Sequence, residues 1–224
     1  MLPIKAYGMN LICNLMDPAV EMQTVELYVE KGIKRIEASA FMQISPALVL
    51  YRLKGLRKSA DGHIECDHKI MAKLSRPEVA EAFMSPAPEQ IVTKLLAEKR
   101  ITDEQAQMAK TIPMSEDICV EADSGGHTDQ GRALVLLPFI QNLPKEIMSK
   151  YNYKRKPRIG LAGGIGTPQA AAAAFGMGAD FILTGSINQC TVEAGMSDEV
   201  KDLLQTINIQ DTDYAGGRYV RARR

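Results

Sequence analysis

Apolar runs of strand length alternate along this chain with stretches in which apolar residues return every three to four positions. The first run, at 7–12, is followed by Asp17-Pro18, a helix cap with proline at the first helical position. Met22, Val25 and Val29 then recur at helical spacing to about residue 31, and Gly32 supplies the stop. The run at 33–39 predicts a second strand. Ser45-Pro46 repeats the cap-and-proline signal before a short helix over 47–53 that ends near Gly55. Asp61-Gly62 marks a tight turn ahead of a strand at 69–75.

Residues 76–115 break this rhythm. They carry Ser-Pro-Ala-Pro at 85–88 and two amphipathic stretches, the second opening on a capping box from Thr102 to Gln105, and they predict a helical insertion or lid. Strands are expected again at 117–122, 158–162 and 181–184. An apolar helix is expected over 132–143, and Thr167-Pro168 caps an alanine-rich helix between the last two strands. Alternating strand and helix implies a parallel sheet with right-handed crossovers. The pattern supplies six strands, whereas a closed (β/α)8 barrel needs eight in roughly 250 residues. The expectation is therefore an α/β chain of TIM-barrel type, forming one domain over 1–224 and lacking its first two βα units. It carries a helical insertion at about 76–115 and a disordered basic tail at about 215–224.

Composition narrows the function classes. With 224 residues, 46% of them apolar, the chain has enough material for one sizeable core. Lys plus Arg and Asp plus Glu both number 27, so the net charge is zero and no global basic field favours nucleic acid or an anionic membrane. Cys13, Cys66, Cys119 and Cys190 are scattered without CxxC spacing, which suits a reducing, cytoplasmic setting. Neither an export signal nor a membrane span is visible.

The chemistry concentrates at strand ends. Gly-Gly-Ile-Gly at 163–166 follows one apolar strand and Thr-Gly-Ser at 184–186 follows the next. Two such loops of bare backbone at neighbouring carboxyl ends of parallel strands suit a phosphate. Glu-Ala-Asp-Ser-Gly-Gly-His at 121–127 follows a third strand, and His127 is the best candidate for moving a proton near neutrality. Of Glu121 and Asp123, Asp123 is the expected support for that loop. Other readings stay open: Asn10 satisfying a loop backbone, Lys73 pairing with Glu37 across the barrel, Gly163-Gly164 making only a tight turn, and His127 only capping its loop. His63, Cys66 and His68 offer three candidate metal ligands with no second half, so a surface hairpin without metal is the expectation. Cys190 reads as a small buried residue rather than a reactive one.

The ordered set of motifs is specific. Glu-Ala-Asp-Ser-Gly-Gly-His-Thr-Asp at 121–129, Ala-Gly-Gly-Ile-Gly-Thr-Pro at 162–168 and Thr-Gly-Ser-Ile-Asn-Gln-Cys-Thr-Val-Glu-Ala-Gly at 184–195 resemble the nitronate monooxygenase-like FMN barrels. Among these the chain looks most like the trans-acting enoyl reductases of bacterial polyketide and polyunsaturated fatty acid synthases. The likeness extends to Tyr-Gly-Met-Asn-Leu at 7–11, to residues 35–42 and to residues 72–80. It implies a flavoprotein that takes hydride from NADPH and passes it from FMN to an enoyl thioester on an acyl carrier protein. On matching positions, Gly163, Gly164, Gly185 and Ser186 would hold the FMN phosphate, Asn10 and Lys73 would lie against the isoalloxazine ring, and His127 would serve the substrate side as the catalytic residue. The alternatives are a nitronate monooxygenase-like flavin oxidase on the same cradle and an inactive barrel fragment.

Overall fold

The structure is a computed structural model, and it describes residues 7–123 and 129–207. Six parallel strands form the main sheet: β1 (Met9–Ile12), β2 (Arg35–Ser39), β5 (Lys69–Leu74), β6 (Asp117–Glu121), β7 (Arg158–Ala162) and β8 (Ile182–Leu183). Between β2 and β5 in sequence, β3 (Leu56–Lys58) and β4 (Ile64–Cys66) make a separate antiparallel hairpin around the Asp61-Gly62 turn. The main sheet runs in chain order, β1-β2-β5-β6-β7-β8, and curls as a half-barrel.

That order decides where the helices go. Each crossover advances in the same direction, so right-handed connections bring the intervening helices to one face of the sheet. These are α1 (Pro18–Glu30), α2 (Pro46–Lys54), α3 (Pro77–Met84), α6 (Ala133–Tyr151) and α7 (Pro168–Gly176). Against them the sheet buries Ile36, Ala38, Ile70, Ala72, Leu74, Ile118, Val120, Ile159 and Leu161. The alternate positions Glu37, Met71, Lys73, Cys119 and Glu121 project from the opposite face by the period of two.

Local signals set most helix starts. Asp17 accepts from the Ala19 amide, Ser45 from Leu48 and Thr167 from Ala170, each with proline next in sequence. Thr102 and Gln105 form the reciprocal capping box at the start of α5 (Asp103–Ala109). Two expectations need correcting. The helix expected over 132–143 runs on to Tyr151 through Pro138 and Pro144, because Leu137, Ile140, Pro144 and Ile147 are buried along one side and outweigh the lost backbone bonds. The expected insertion at 76–115 is shorter, since α3 is the ordinary crossover helix packed on β5, β6 and α6. The additional helices are α4 (Glu89–Ala97) and α5, which pack on α2.

At the amino-terminal end of the strands Arg52 is buried at 2% exposure. Its Nε donates to the Pro113 carbonyl at 3.2 Å, its Nη1 to the His68 carbonyl at 3.0 Å, and its Nη2 lies 3.7 Å from Glu116 Oε1. His68 stacks on Tyr51, and its Nδ1–H donates to the Tyr51 carbonyl at 2.7 Å. The Cys66 thiol is directed at the carbonyls of Arg52 and His68. Among the described residues no His, Cys, Asp and Glu group has a metal-holding arrangement, and no helix is long and apolar enough to cross a membrane.

Candidate functional site

The site grows from the alternation of β2. Ile36 and Ala38 point to the helices, which sends Glu37 and Ser39 to the open face. In register, Glu37 stands beside Asn10 of β1, and Ser39 beside Lys73 of β5. A continuous polar row results. The Ser39 hydroxyl is a donor within reach of two acceptors, Glu37 Oε1 at 2.8 Å and Asn10 Oδ1 at 2.9 Å. Lys73 Nζ is 3.1 Å from Glu37 Oε1 and 3.3 Å from Glu121 Oε1. Four adjacent strands, β1, β2, β5 and β6, are thus joined by side chains on the open face.

The electrostatics follow from this packing. Burial works against the Lys73 charge, but the hydrogen bonds and charges of Glu37 and Glu121 outweigh it and hold the ammonium above the ordinary lysine range. Cys119, the register neighbour of Lys73, is fully buried. Burial, then the negative charges of Glu37 and Glu121, push its thiol up to about 12, so it is an inert core group.

The two glycine turns stand at the carboxyl ends of the paired strands β7 and β8. Gly163 and Gly164 have φ of +93° and +70°, the left-handed region that glycine enters without cost. A Cβ on Gly163 would meet the Ala122 carbonyl oxygen, whereas at Gly164 and Gly185 the space where a Cβ would sit is clear for 4 Å. Gly185 precedes the single-turn helix α8 (Ser186–Gln189), and Asn188 ties that turn back to Thr184. Among the described residues no backbone carbonyl accepts from the amides of Gly163, Gly164, Gly185 or Ser186. Bare amides in exposed glycine turns have the donor chemistry of a phosphate cradle, and a charged lysine on the same sheet suits an electron-rich ring. In this respect the residues present fit FMN.

The sequence-based candidates fall as follows. Asn10 and Lys73 are brought into one network, and the alternative pairing of Lys73 with Glu37 is present within it. Ser39 lies in the 35–42 stretch of the likeness but is not among the candidate site residues, and Glu121, not singled out for this role, reaches Lys73. Alternation of polar 37 and 39 between apolar 36 and 38 is the signal that could have found them. Asp123 closes the base of its loop through its amide, which donates to the Gly131 carbonyl at 2.8 Å. His127 lies outside the described residues. Cys190, expected to be buried, is exposed. Of two cavities of about 680 and 830 Å³, the first lies between α1, α2 and α4, away from the row, and the second runs along the open face from Lys69, Asp117 and Arg158 to Asn10 and Glu37 of the row.

No family model matches the chain. It is 55% identical over 211 residues to the polyketide biosynthesis protein PksE of Bacillus subtilis, covering 94% of this chain and 28% of that protein. It is 45% identical over 212 residues to a polyunsaturated fatty acid synthase polypeptide of Thraustochytrium, covering 94% of this chain and 14% of that polypeptide. The chain therefore spans less than a third of the length of these curated relatives. Among solved structures, the enoyl reductase domain of MlnA, from the macrolactin biosynthesis cluster of Bacillus amyloliquefaciens, superposes with a TM-score of 0.88 at 45% identity, over 94% of this chain and 47% of that one. FabK (M276A) from Thermotoga maritima shares the fold alone, at a TM-score of 0.62 and 18% identity over 95% of this chain and 54% of that one. In sequence and in fold, the chain is a relative, over nearly its whole length, of the enoyl reductase domain of the macrolactin cluster and of one segment of polyketide and polyunsaturated fatty acid synthase proteins.

Proposed function

We propose that the chain is an FMN-dependent enoyl reductase acting in trans, which reduces enoyl thioesters on an acyl carrier protein with NADPH during polyketide or polyunsaturated fatty acid synthesis. The observation that carries this reading is the joining of Asn10, Ser39, Glu37, Lys73 and Glu121 into one polar row on a sheet whose next strands end in two unclaimed glycine turns. The relationship to the MlnA enoyl reductase domain supports it. FMN, when bound, supplies the hydride for the β carbon of the thioester, having received it from NADPH.

The chain's own residues do the rest. The amides of Gly163, Gly164, Gly185 and Ser186 bind the phosphate, with the first turn of α8 leaving its N–H groups free of intrahelical partners. Lys73, kept charged by its two carboxylates, stabilises negative charge on the ring side of the site, and Asn10 orients the ring through its amide. His127 delivers a proton to the α carbon or holds the thioester carbonyl by a hydrogen bond. Hydride at one carbon and proton at the other reduce the double bond.

The experiment is an absorption spectrum of the purified chain, with the released flavin identified, followed by turnover with NADPH and an enoyl thioester. Stoichiometric FMN and consumption of the enoyl substrate support the proposal. Oxygen uptake with a nitronate, in the absence of enoyl reduction, replaces it with the flavin oxidase. Folded chain that takes up no FMN even when it is added overturns it in favour of an inactive barrel fragment.

A further inference from the structure

One residue of the polar row reaches both side chains assigned to the flavin ring. Glu37 Oε1 touches Lys73 Nζ directly and reaches the Asn10 amide through the single hydroxyl of Ser39. Resting on the reading above, we propose that Glu37 is the positioning residue of this site: it fixes the Lys73 ammonium against Glu121 and, through the Ser39 hydroxyl, holds the Asn10 amide in place.

The physical case has two parts. A lysine side chain loses much of its large rotamer freedom when it is ordered, so a lysine that must present its charge at one point needs fixed partners. Glu37 on β2 and Glu121 on β6 flank Lys73 on β5 from the two neighbouring strands, and all three side chains are only 22–26% exposed. The second part concerns the link to Asn10. The Ser39 hydroxyl has one proton and stands within hydrogen-bonding distance of two acceptors, Glu37 Oε1 at 2.8 Å and Asn10 Oδ1 at 2.9 Å, so the carboxylate and the amide oxygen share a single donor. A neutral amide at position 37 could donate as well as accept, which changes the competition for that proton and the hold on Asn10.

The test uses the full chain. Glu37→Gln is expected to change the FMN dissociation constant about tenfold, the scale of a hydrogen bond to a charged group. In an Asn10→Ala/Lys73→Met background the same substitution is expected to change it less than about twofold, because the groups through which Glu37 acts are gone. An effect of equal size in both backgrounds overturns the proposal. A second readout needs no flavin: trace acetylation of Lys73 in the ligand-free chain, measured by mass spectrometry against exposed Lys145. Glu37→Gln is expected to raise Lys73 labelling about three- to tenfold by removing one of its two carboxylates, and Glu37→Asp to restore most of the protection. If no form binds FMN while labelling rises in Glu37→Gln, the flavin reading fails and the positioning of Lys73 stands. Unchanged labelling overturns the positioning role whatever the flavin does.

Discussion

Gly163 and Ala122 approach so closely that the first has no room for a side chain: a Cβ built on Gly163 would lie 2.2 Å from the Ala122 carbonyl oxygen. The contact draws the ends of β7 and β6 together, next to the bond from the Ala122 amide to the Ala162 carbonyl at 2.9 Å. Gly163→Ala is expected to cost about 2–4 kcal/mol, the sum of a left-handed backbone penalty and a clash with main chain that cannot swing aside. Gly164→Ala meets only the backbone penalty, about 1–2 kcal/mol, since nothing lies within 4 Å of its Cβ position. Urea denaturation of both variants checks the difference, and equal losses would show that the approach to Ala122 is not limiting.

A second close approach is made by a ring. The Phe181 ring covers Gly160, with its Cε2 2.4 Å from where a Cβ would stand, and Arg158 lies 5.9 Å above the ring centroid. Gly160→Ala is expected to destabilise by about 1–3 kcal/mol, because the ring must leave its place. Phe181→Leu added to Gly160→Ala is expected to recover part of that loss, giving a coupling of opposite sign to the two single changes. Additive losses in a thermal-melt cycle would count against the packing described.

Arg52 is held by carbonyl groups and a carboxylate from separate segments, so its removal strips several partners at once. Arg52→Ala is expected to cost about 3–5 kcal/mol, as for breaking a buried charged contact, and Arg52→Lys to recover little, because an ammonium cannot reproduce the planar fork. Chemical denaturation of the two variants measures this. A lysine variant as stable as wild type would mean that charge alone is needed there.

Stability should fall in mild acid through His68. Burial is the main cause that lowers its pKa below 6.5, and the Tyr51 carbonyl and Asp67 compensate only in part. A histidine that resists protonation when folded is protonated more readily in the unfolded chain, so its contribution is present above pH 6.5 and is lost as pH falls below it. Glu116 acts lower on the scale. Burial raises its pKa, but Arg52 and Lys69 more than compensate and hold it below 4.5, so its contribution is lost only as pH drops through that region. Melting temperatures at pH 7.5 and 5.5 are expected to differ less in His68→Asn than in wild type. An unchanged difference would remove His68 as the source.

Much of this arrangement was legible in the sequence because it depends on neighbours a few residues apart. Asp17-Pro18, Ser45-Pro46 and Thr167-Pro168 set helix starts through caps that act within one turn. The six strands of the parallel sheet declare themselves as apolar runs, and the ordered glycine and histidine motifs carry the family resemblance. The length of α6 was not legible, since Pro138 and Pro144 oppose a helix locally and only burial of Leu137, Ile140 and Ile147 carries it through. Nor was the role of α3, which differs from α4 and α5 only in packing on β5, β6 and α6.

The sequence by itself determined the strand and helix order, the capping residues and the candidate groups Asn10, Lys73, Gly163, Gly164, Gly185 and Ser186. The pairing of Lys73 with Glu37 was one of the readings open in the sequence, but only the tertiary structure decided that it forms, and that Ser39 and Glu121 join it. Glu37, Lys73 and Glu121 lie on three different strands, and their ion pairs exist because parallel register sets β2 and β6 on either side of β5. Ser39 joins Asn10 to Glu37 for the same reason, across β1 and β2. Register is a long-range property, fixed when the apolar alternate positions of each strand meet the helix layer, and the polar positions between them are carried along with it.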